Sequence, residues 1–404
     1  MIKNMNKIFL AAAILSSLLG AQADMLYSSP ELLEAAKQNK TNRFVKLVIE
    51  VADENFGSEI KTITSVTSPM GEEHLHDYFS EGPYWWPNPE DPDGPYIRHD
   101  GKRNPERFGD HKELHMSFYR AVTSLSIAAY LTGEKKYADR ALEFIEQWWI
   151  DENTKMAPHL KYAQIIRNKP VRRGVGIIET HRYVGLIESL LLLESTGFVP
   201  SEKQKDMKRW WTDYYSWLTE SEWGIDEEER GNNHSSWWAA QAAAIAYYLG
   251  KTDDLEKYYE YGKSYLIDRQ ISENCEQPLE DGRTLSLNYN VFNLDALSFL
   301  SAVLKKTGKD LFMYKGNGCT IEGAAERIIP FIENPDEWKL DQIKPHKQIP
   351  RPFMFLAGMN YNNNMLLEAY RKLLTKDTRD LSILYTDPFD LLLDAQMFEM
   401  ETNK

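Results

Sequence analysis

The chain has 404 residues and a formal net charge of -14 at pH 7, which argues against nucleic acid and against an anionic membrane surface as partners. A local basic cleft for an anionic polysaccharide remains compatible with that charge. The only cysteines, Cys275 and Cys319, are too few for a metal site and lack nearby histidines at ligand spacing, so the fold relies on its apolar core. The sequence leaves open whether they form a disulfide.

The first 23 residues have the pattern of a signal peptide. Lys3 and Lys7 precede an apolar run over residues 8–19, and Ala21-Gln22-Ala23 fits the small-x-small cleavage rule. The run is too short for a permanent membrane anchor, and no cysteine follows it that a lipid could modify. We therefore expect an exported protein, periplasmic or secreted. Its mature chain, residues 24–404, is expected to form one catalytic domain and to act as a monomer or a weak homo-oligomer.

After a helical pattern over residues 29–56 comes a long stretch rich in proline and glycine, residues 57–112. No regular element is expected there, and a loop of this length in a compact domain is typical of a lid or a binding loop. Its aromatic rings and cations together suit a polyanionic sugar chain: Tyr84, Trp85, Trp86, Tyr96, Arg98, His99, Lys102 and Arg103. The alternative is a surface loop pinned down by its own aromatic side chains.

From Leu114 onward the pattern predicts long amphipathic helices that end in similar ways at glycines. These are Gly133, Gly197, Gly250 and Gly308. After the first, third and fourth of them a second helix is predicted, over residues 136–149, 254–267 and 321–332. A repeated helix–Gly–helix unit indicates stacked helical hairpins, which form an (α/α) toroid if closed and a solenoid if open. We expect an all-α protein, an (α/α) toroid built as an incomplete barrel of hairpins, with at most short strands near the C-terminus.

Three clusters of polar residues lie at connections between these helices. Asn232, Asn233 and His234 precede an Ala-rich helix predicted over residues 239–249, where the helix N-terminus favours an anion. For either asparagine alone, a plain helix cap is the alternative. The other clusters are Gln164 with Arg172, Arg173, Glu179, His181 and Arg182, and Glu280 with Asp281, Arg283, Tyr289 and Asn290. Since such connections gather at one end of a toroid, the clusters and the long loop are expected to share one mouth.

If that mouth binds a uronate polymer, cleavage by β-elimination needs a neutralised carboxylate, a base for the C5 proton and an acid for the leaving oxygen. Asn233 and Arg283 are candidates for the first task. Tyr289 can act as base and acid if Arg283 and His234 favour its phenolate, because an unperturbed phenol titrates near about 10. His234 shares or replaces the base role on the other face of the sugar. No metal ion or organic cofactor is required.

Each of these residues also has a structural interpretation. A lone tyrosine at the start of an apolar helix is more often core than catalyst, and a lone histidine near a helix start is usually structural. The pair His111 and His115 has ligand spacing, but its glutamate is misplaced for a zinc protease, and we expect a surface or loop-anchoring role. Two rival functions remain: a glycoside hydrolase with two carboxylates among Glu179, Glu280 and Asp281, and a non-catalytic glycan-binding protein.

Several segments resemble the alginate lyase superfamily of polysaccharide lyases, the members built on an (α/α) toroid. The matching segments are residues 84–89, 95–105, 160–164 and 174–179, the triplet Asn232-Asn233-His234, and Arg283 with Tyr289 and residues 292–294. They follow in unbroken order over more than half of the chain. The likeness is closest to polysaccharide lyase family 38, known for alginate and glucuronan lyases, and more distant to family 5.

The resemblance implies an endo-acting lyase that cleaves 1,4-linked uronate polymers, namely alginate or alternatively glucuronan, into unsaturated oligouronates. It implies Tyr289 as catalytic base and acid, His234 as partner or second base, and Asn233 with Arg283 as neutralisers of the carboxylate. The expected substrate-binding residues are Asn232, Gln164, Arg173, His181, Tyr84, Trp85, Trp86, Arg98 and Arg351. His181 stands where the family more often has a small or acidic residue, so its role is open.

Overall fold

The structure is a computed structural model that describes residues 25–169, 171–375 and 387–402. The expected signal peptide, residues 1–23, lies outside these ranges. None of the helices within them combines the length and the apolar character that crossing a bilayer requires.

The described part of the chain is built mainly from helices. The α-helices are α1 (Pro30–Gln38), α2 (Arg43–Phe56), α3 (Asp110–Thr132), α4 (Lys135–Ile145), α5 (Tyr183–Ser195), α6 (Ser201–Glu220), α7 (Glu222–Glu228), α8 (Asn233–Tyr248), α9 (Thr252–Tyr261), α10 (Pro278–Asp281), α11 (Ser286–Lys305), α12 (Ile321–Glu333), α13 (Pro352–Tyr361), α14 (Asn364–Thr375) and α15 (Pro388–Thr402). A π-helical turn, Glu146–Ile150, extends α4, and another, Gly262–Ile267, extends α9 into a last helical turn, Asp268–Gln270. Short 3-10 turns lie at Ile63–Ser65, Glu72–His74, Val175–Thr180 and Pro335–Glu337.

Six of the described helices form an inner ring, in the order α3, α5, α8, α11, α13 and α15. Each contacts the next, and α15 contacts α3 again. Inner helices such as α5 and α8 are buried on all sides, because one face meets the centre of the ring and the other meets the outer layer. Outer helices, among them α2, α4, α9, α12 and α14, bury one apolar stripe against the ring. The all-α toroid expected from the sequence is confirmed.

The glycines that the sequence marked as helix ends do end helices. Gly133, Gly197, Gly250 and Gly308 all have positive φ, between 70° and 79°, the left-handed conformation that glycine adopts at no steric cost. A second helix follows each of the first three directly and α12 follows the fourth. The helix after Gly197, α6, was not singled out from the sequence. These left-handed ends turn the chain back, so that inner and outer helices alternate.

The structure corrects three expectations about elements. The Ala-rich helix α8 begins at Asn233, not at residue 239, because Asn232 caps it: its Oδ1 accepts a hydrogen bond from the backbone N–H of His234 at 3.1 Å. The 57–112 stretch is not free of regular structure, since α3 begins at Asp110 and three short strands precede it. Residues 57–109 are called the lid loop below.

The short strands lie around the lid loop, not near the C-terminus as the sequence allowed. They are β1 (Phe79–Glu81), β2 (Trp85–Trp86), β3 (Ile97–Arg98) and β4 (Tyr162–Ile165). Strand β1 pairs in parallel with β4, and β2 pairs antiparallel with β3. Strands of two to four residues carry no readable alternation, so only the tertiary pairing reveals them.

Candidate active site

A cavity of about 510 Å³ opens where the polar connections meet the lid loop. Its lining residues are Pro83, Tyr84, Trp85, Arg98, Arg103, Lys112, Met116, Gln164, Arg173, Val175, Ile178, Glu179, His181, Arg182, Arg230, Asn232, Asn233, His234, Arg283, Tyr289 and Phe292. The three polar clusters and the lid loop therefore share one mouth, as expected from the sequence. Arginine and lysine side chains predominate among the charged groups of this lining, although the whole chain is acidic.

His234 is held by a carboxylate from the preceding helix. Its Nδ1 lies 2.6 Å from Oε1 of Glu227, whose side chain is fully buried in α7. Because an ionised carboxylate only accepts hydrogen bonds, Nδ1 carries a proton, and in the neutral imidazole Nε2 is then the nitrogen with the lone pair. Glu227 was not among the residues predicted from the sequence; its signal was the acidic run 226–229, which lies just before the triplet.

Asn233 is oriented by Glu280. Its Nδ2 donates to both carboxylate oxygens at 2.9 and 2.8 Å, and its backbone N–H donates to Oε1 at 2.7 Å. Seen from Nδ2 of Asn233, the two Glu280 oxygens lie in nearly the same direction, so a single N–H group can donate to both. The other N–H group of the amide remains able to donate to a ligand. Burial raises the pKa of Glu280, and the hydrogen bonds from Asn233 partly offset that effect.

The guanidinium of Arg283 lies over the ring of Tyr289. The guanidinium carbon of Arg283 is 3.7 Å from the centre of the Tyr289 ring, within the range of a cation–π contact. Asp100 of the lid loop accepts hydrogen bonds from Nη2 and Nε of Arg283 at 2.9 and 3.2 Å. The Tyr84 hydroxyl, also from the lid loop, lies 3.1 Å from the Tyr289 hydroxyl.

The protonation of Tyr289 corrects one premise of the sequence analysis. Burial and the neighbouring Tyr84 raise the pKa of Tyr289 above the usual value for tyrosine, and the charge of Arg283 offsets this only in part. The charge of Arg283 favours the phenolate, as expected, but burial and Tyr84 outweigh it, so this arrangement favours the neutral phenol over the expected phenolate.

Gln164 and Arg173 form one side of the cavity, next to Trp85 of the lid loop. Gln164 has a φ of 54°, an uncommon left-handed conformation for a residue other than glycine. Its carbonyl accepts a hydrogen bond from Nη1 of Arg173 at 3.0 Å, and the Arg173 guanidinium lies 5.5 Å from the Trp85 ring. Burial, together with the charges of Arg230 and Arg98, lowers the pKa of Arg173 to about 10. These crowded cations favour an anionic ligand beside Arg173.

His181 is a neutral residue of the cavity floor. Burial and the charge of Arg182 lower the pKa of His181 well below its usual value. Its Nδ1 lies 2.9 Å from the carbonyl oxygen of Ile178, which can only accept, so Nε2 carries the lone pair. The ring packs against Trp237 and Phe292. Such a histidine is suited to accept a hydrogen bond from a sugar hydroxyl.

Two residues expected at the substrate lie elsewhere. Trp86 is absent from the lining of the cavity, and its indole N–H donates to the carbonyl of Lys102 within the lid loop. Arg351 is bonded to Asp295 and lines a separate, smaller cavity of about 70 Å³ below the floor. In both cases the sequence placed the residue near the mouth, but local hydrogen bonds hold it away.

The lining contains one carboxylate, Glu179, within the described chain. Its oxygens accept hydrogen bonds from Lys112, Tyr78 and Ser80. Burial alone raises the pKa of Glu179, but Lys112 and the hydrogen bonds lower it below the usual value. Glu179 is thus an ionised carboxylate that is fully engaged in holding Lys112 and the lid loop.

His111 and His115 anchor structure as expected, although neither is at the surface. His111 bonds the lid loop backbone at Phe79 and Val66, and His115 bonds the Tyr183 hydroxyl at 2.8 Å. No group of three or more potential ligand side chains within the described residues is placed to hold a metal ion.

Comparison with known proteins assigns the family. The alginate lyase family profile matches residues 62–338. A solved alginate lyase from Bacteroides ovatus is 30% identical, with a TM-score of 0.81 over 91% of this chain and 99% of that chain. No curated protein sequence matched.

More distant structures share the fold. Alginate lyase A1-III from Sphingomonas species A1 is 17% identical, with a TM-score of 0.51 over 91% of this chain and 99% of that one. A variant of alginate lyase A1-III in complex with a tetrasaccharide is also 17% identical, with a TM-score of 0.51 over 85% of this chain and 91% of that one. On the family profile and the 30% identical structure, the chain belongs to the alginate lyase family and is a polysaccharide lyase.

Proposed function

We propose that this lyase cleaves internal bonds of the alginate polymer by β-elimination and releases unsaturated oligouronates. The observation that carries the proposal is the meeting of Tyr289, His234, Asn233 and Arg283 in one cavity whose other charged groups are mainly cationic. A uronate polymer supplies the negative charge that such a lining attracts. The names of the similar solved proteins, alginate lyases, support the choice of alginate.

Neutralisation of the uronate carboxylate falls to Arg283 and Asn233. Arg283 has N–H groups on Nη1 and Nη2 beyond those that Asp100 accepts. Asn233 offers the second N–H of an amide that Glu280 fixes in orientation. Donors held in place before the reaction stabilise the charge that develops on the carboxylate as C5 loses its proton.

The resting protonation states divide the acid and base roles. His234 has a lone pair on Nε2 and takes the C5 proton, while the electron pair of that C–H bond forms the C4–C5 double bond. The C4–O bond breaks, and the neutral Tyr289 hydroxyl gives its proton to the leaving oxygen. The proton then returns from His234 to Tyr289 through solvent, so no atom is gained or lost by the enzyme.

A glycoside hydrolase on this scaffold has little support. Such enzymes place two carboxyl groups on either side of the scissile bond. Glu179 is engaged by Lys112, Glu280 by Asn233, and Asp281 accepts from Asn290 at 2.9 Å. Neither Glu280 nor Asp281 lines the cavity.

We also propose that the chain is exported and works as a single catalytic domain, residues 24–404, in the periplasm or outside the cell. The N-terminal pattern supports this, and so does the disulfide between Cys275 and Cys319, a bond that persists in oxidising compartments. The placement in polysaccharide lyase family 38 is likewise a proposal, supported by the motifs shared with it.

The test is ultraviolet absorbance during incubation with polymannuronate, polyguluronate and glucuronan. Elimination conjugates a new double bond to the carboxylate and absorbs, whereas hydrolysis does not. We expect a rise with the wild-type protein on alginate blocks and a loss of at least about 10²-fold in Tyr289→Phe, which lacks the proton donor. The control variant Tyr96→Phe, at a tyrosine of the lid loop outside the cavity lining, should retain activity. New reducing ends without absorbance would refute elimination.

A further inference from the structure

We infer that Asp100 is a positioning residue of the reaction: it holds Arg283 over the ring of Tyr289, with the end of the guanidinium presented to the substrate carboxylate. The inference rests on the proposed function, since it assigns a task to Arg283 in that reaction. Asp100 belongs to the lid loop and Arg283 to the connection before α11, so the contact joins two distant parts of the chain.

Asp100 binds the side edge of the Arg283 guanidinium, the edge formed by Nε and Nη2. Asp100 accepts from Nε and Nη2 through its two oxygens, at 3.2 and 2.9 Å. A guanidinium is planar and has five N–H donors in a fixed fork. The side edge of Arg283 is therefore taken, and the N–H groups of Nη1, with one of Nη2, remain at its far end. That end has no other hydrogen-bond partner within the described residues.

A second contact, with Tyr289, restrains Arg283. Its guanidinium carbon lies 3.7 Å from the Tyr289 ring centre, so the ring supports one face while Asp100 supports the side edge. The Arg283 side chain is only 16% exposed and Asp100 20%, which leaves little room for another rotamer. An arginine held on a face and an edge keeps its donors in one direction before the substrate arrives.

Asp100 is itself firmly held. Thr284 donates to Asp100 Oδ2 from its hydroxyl at 3.0 Å and from its backbone N–H at 3.4 Å, and Arg98 donates to Oδ1 at 2.5 Å. The neighbouring Gly101 has a φ of 72°, and a Cβ there would lie 2.8 Å from the Thr284 hydroxyl. The lid loop therefore docks on residues 283–284 by a close backbone approach.

The carboxylate of Asp100 stays ionised near neutral pH. Burial alone would raise the pKa of Asp100, but the hydrogen bonds and charge of Arg283 outweigh it and lower the pKa to about 2. The same negative charge opposes ionisation of Tyr289. Asp100 thus remains a charged partner that keeps Arg283 oriented.

A competing interpretation makes Asp100 an inhibitor that occupies Arg283 in place of the substrate. The geometry favours positioning, because the substrate carboxylate needs the far end of the fork and Asp100 uses the side edge. The two interpretations predict opposite effects of removing the charge: positioning predicts a slower enzyme, and inhibition predicts a faster or tighter-binding one.

The test compares Asp100→Asn with Asp93→Asn, the same change at an exposed position of the same loop. We expect Asp100→Asn to lower kcat at least about tenfold with a smaller change in KM, since neutralisation matters most in the transition state. Asp93→Asn should stay within about twofold of wild type, as surface substitutions usually do. Melting temperatures of both variants verify the fold.

A second set of variants shows whether Asp100 acts through Arg283. Adding Asp100→Asn to Arg283→Ala should cost nothing further, because residues that act as a unit are non-additive. This is measured in kcat/KM and, by calorimetry, in affinity for a saturated uronate oligosaccharide, which needs no turnover. An independent loss in the double variant, or an Asp100→Asn enzyme equal to Asp93→Asn or faster than wild type, would overturn the inference.

A failure of the proposed function can be distinguished from a failure of the inference about Asp100. If wild type and Asp93→Asn give no absorbance on any of the three polymers, the proposed reaction is refuted whatever Asp100→Asn does. Calorimetry then still decides on Asp100: weaker uronate binding in Asp100→Asn than in Asp93→Asn supports positioning of Arg283, and equal binding refutes it.

Discussion

Glu227 determines how His234 meets a substrate. The buried carboxylate fixes the proton on Nδ1 and the ring orientation, through a contact of 2.6 Å. When Nε2 takes a proton, the same carboxylate stabilises the imidazolium that forms. In the proposed reaction His234 acts as the base with this support, although Glu227 itself does not line the cavity.

We predict that Glu227→Gln lowers kcat by about 10²- to 10⁴-fold while KM changes little, because the charge that stabilises the imidazolium is lost. Glu229→Gln is the matched control, since Glu229 is exposed and does not line the cavity. Steady-state kinetics on the preferred polymer measure both. Comparable activity of the two variants would contradict a supporting role for Glu227.

At the scale of elements, the disulfide connects the segment before α10 to the segment before α12. Cys275 and Cys319 are 44 residues apart in sequence. Helix α10 carries Glu280, which orients Asn233, so the bridge restrains the chain close to the site. A cross-link over a loop of this length is expected to stabilise the fold by about 4 kcal/mol through the unfolded state.

We predict that the double variant Cys275→Ser, Cys319→Ser unfolds at a lower urea concentration, with a free energy of unfolding reduced by about 2–4 kcal/mol. The same fall should appear in the wild-type protein when reductant is added, and reductant should not affect the variant. Chemical unfolding followed by circular dichroism measures these midpoints. An unchanged midpoint in the variant would mean that the bridge contributes no stability.

The sequence predicts features that depend on neighbouring residues better than it predicts contacts between residues far apart in the chain. The glycine helix ends, such as Gly133 and Gly250, are local signals, and they were correct. The cap at Asn232 and the grouping of polar connections followed from helix physics. The contact of Asp100 with Arg283 joins residues 183 apart, and no local pattern reveals it.

The errors have the same origin. Trp86 and Arg351 have side-chain types that suit a sugar cleft, but type does not give direction, and hydrogen bonds to Lys102 and Asp295 hold them away from it. The phenolate expected at Tyr289 failed because burial, a tertiary property, outweighs the nearby cation. The sequence thus predicted which residues meet more reliably than their protonation or orientation.

At the scale of the whole molecule, an acidic protein presents a mainly cationic cavity. The net charge is -14, yet the cavity lining holds arginines from four separate connections and one engaged carboxylate. The toroid makes this possible by gathering the ends of its inner helices at one mouth. A cationic lining of this kind favours an anionic polymer at the mouth.

The mass of the products tests the central claim, elimination on a uronate polymer, most directly. Alginate digested by the wild-type protein should yield oligosaccharides whose new non-reducing ends are one water molecule lighter than hydrolysis products, because a double bond replaces an added water. Mass spectrometry of the digest distinguishes the two without reference to any variant. Oligouronates at the lighter mass are the predicted result. Products at the full hydrolytic mass would contradict the account.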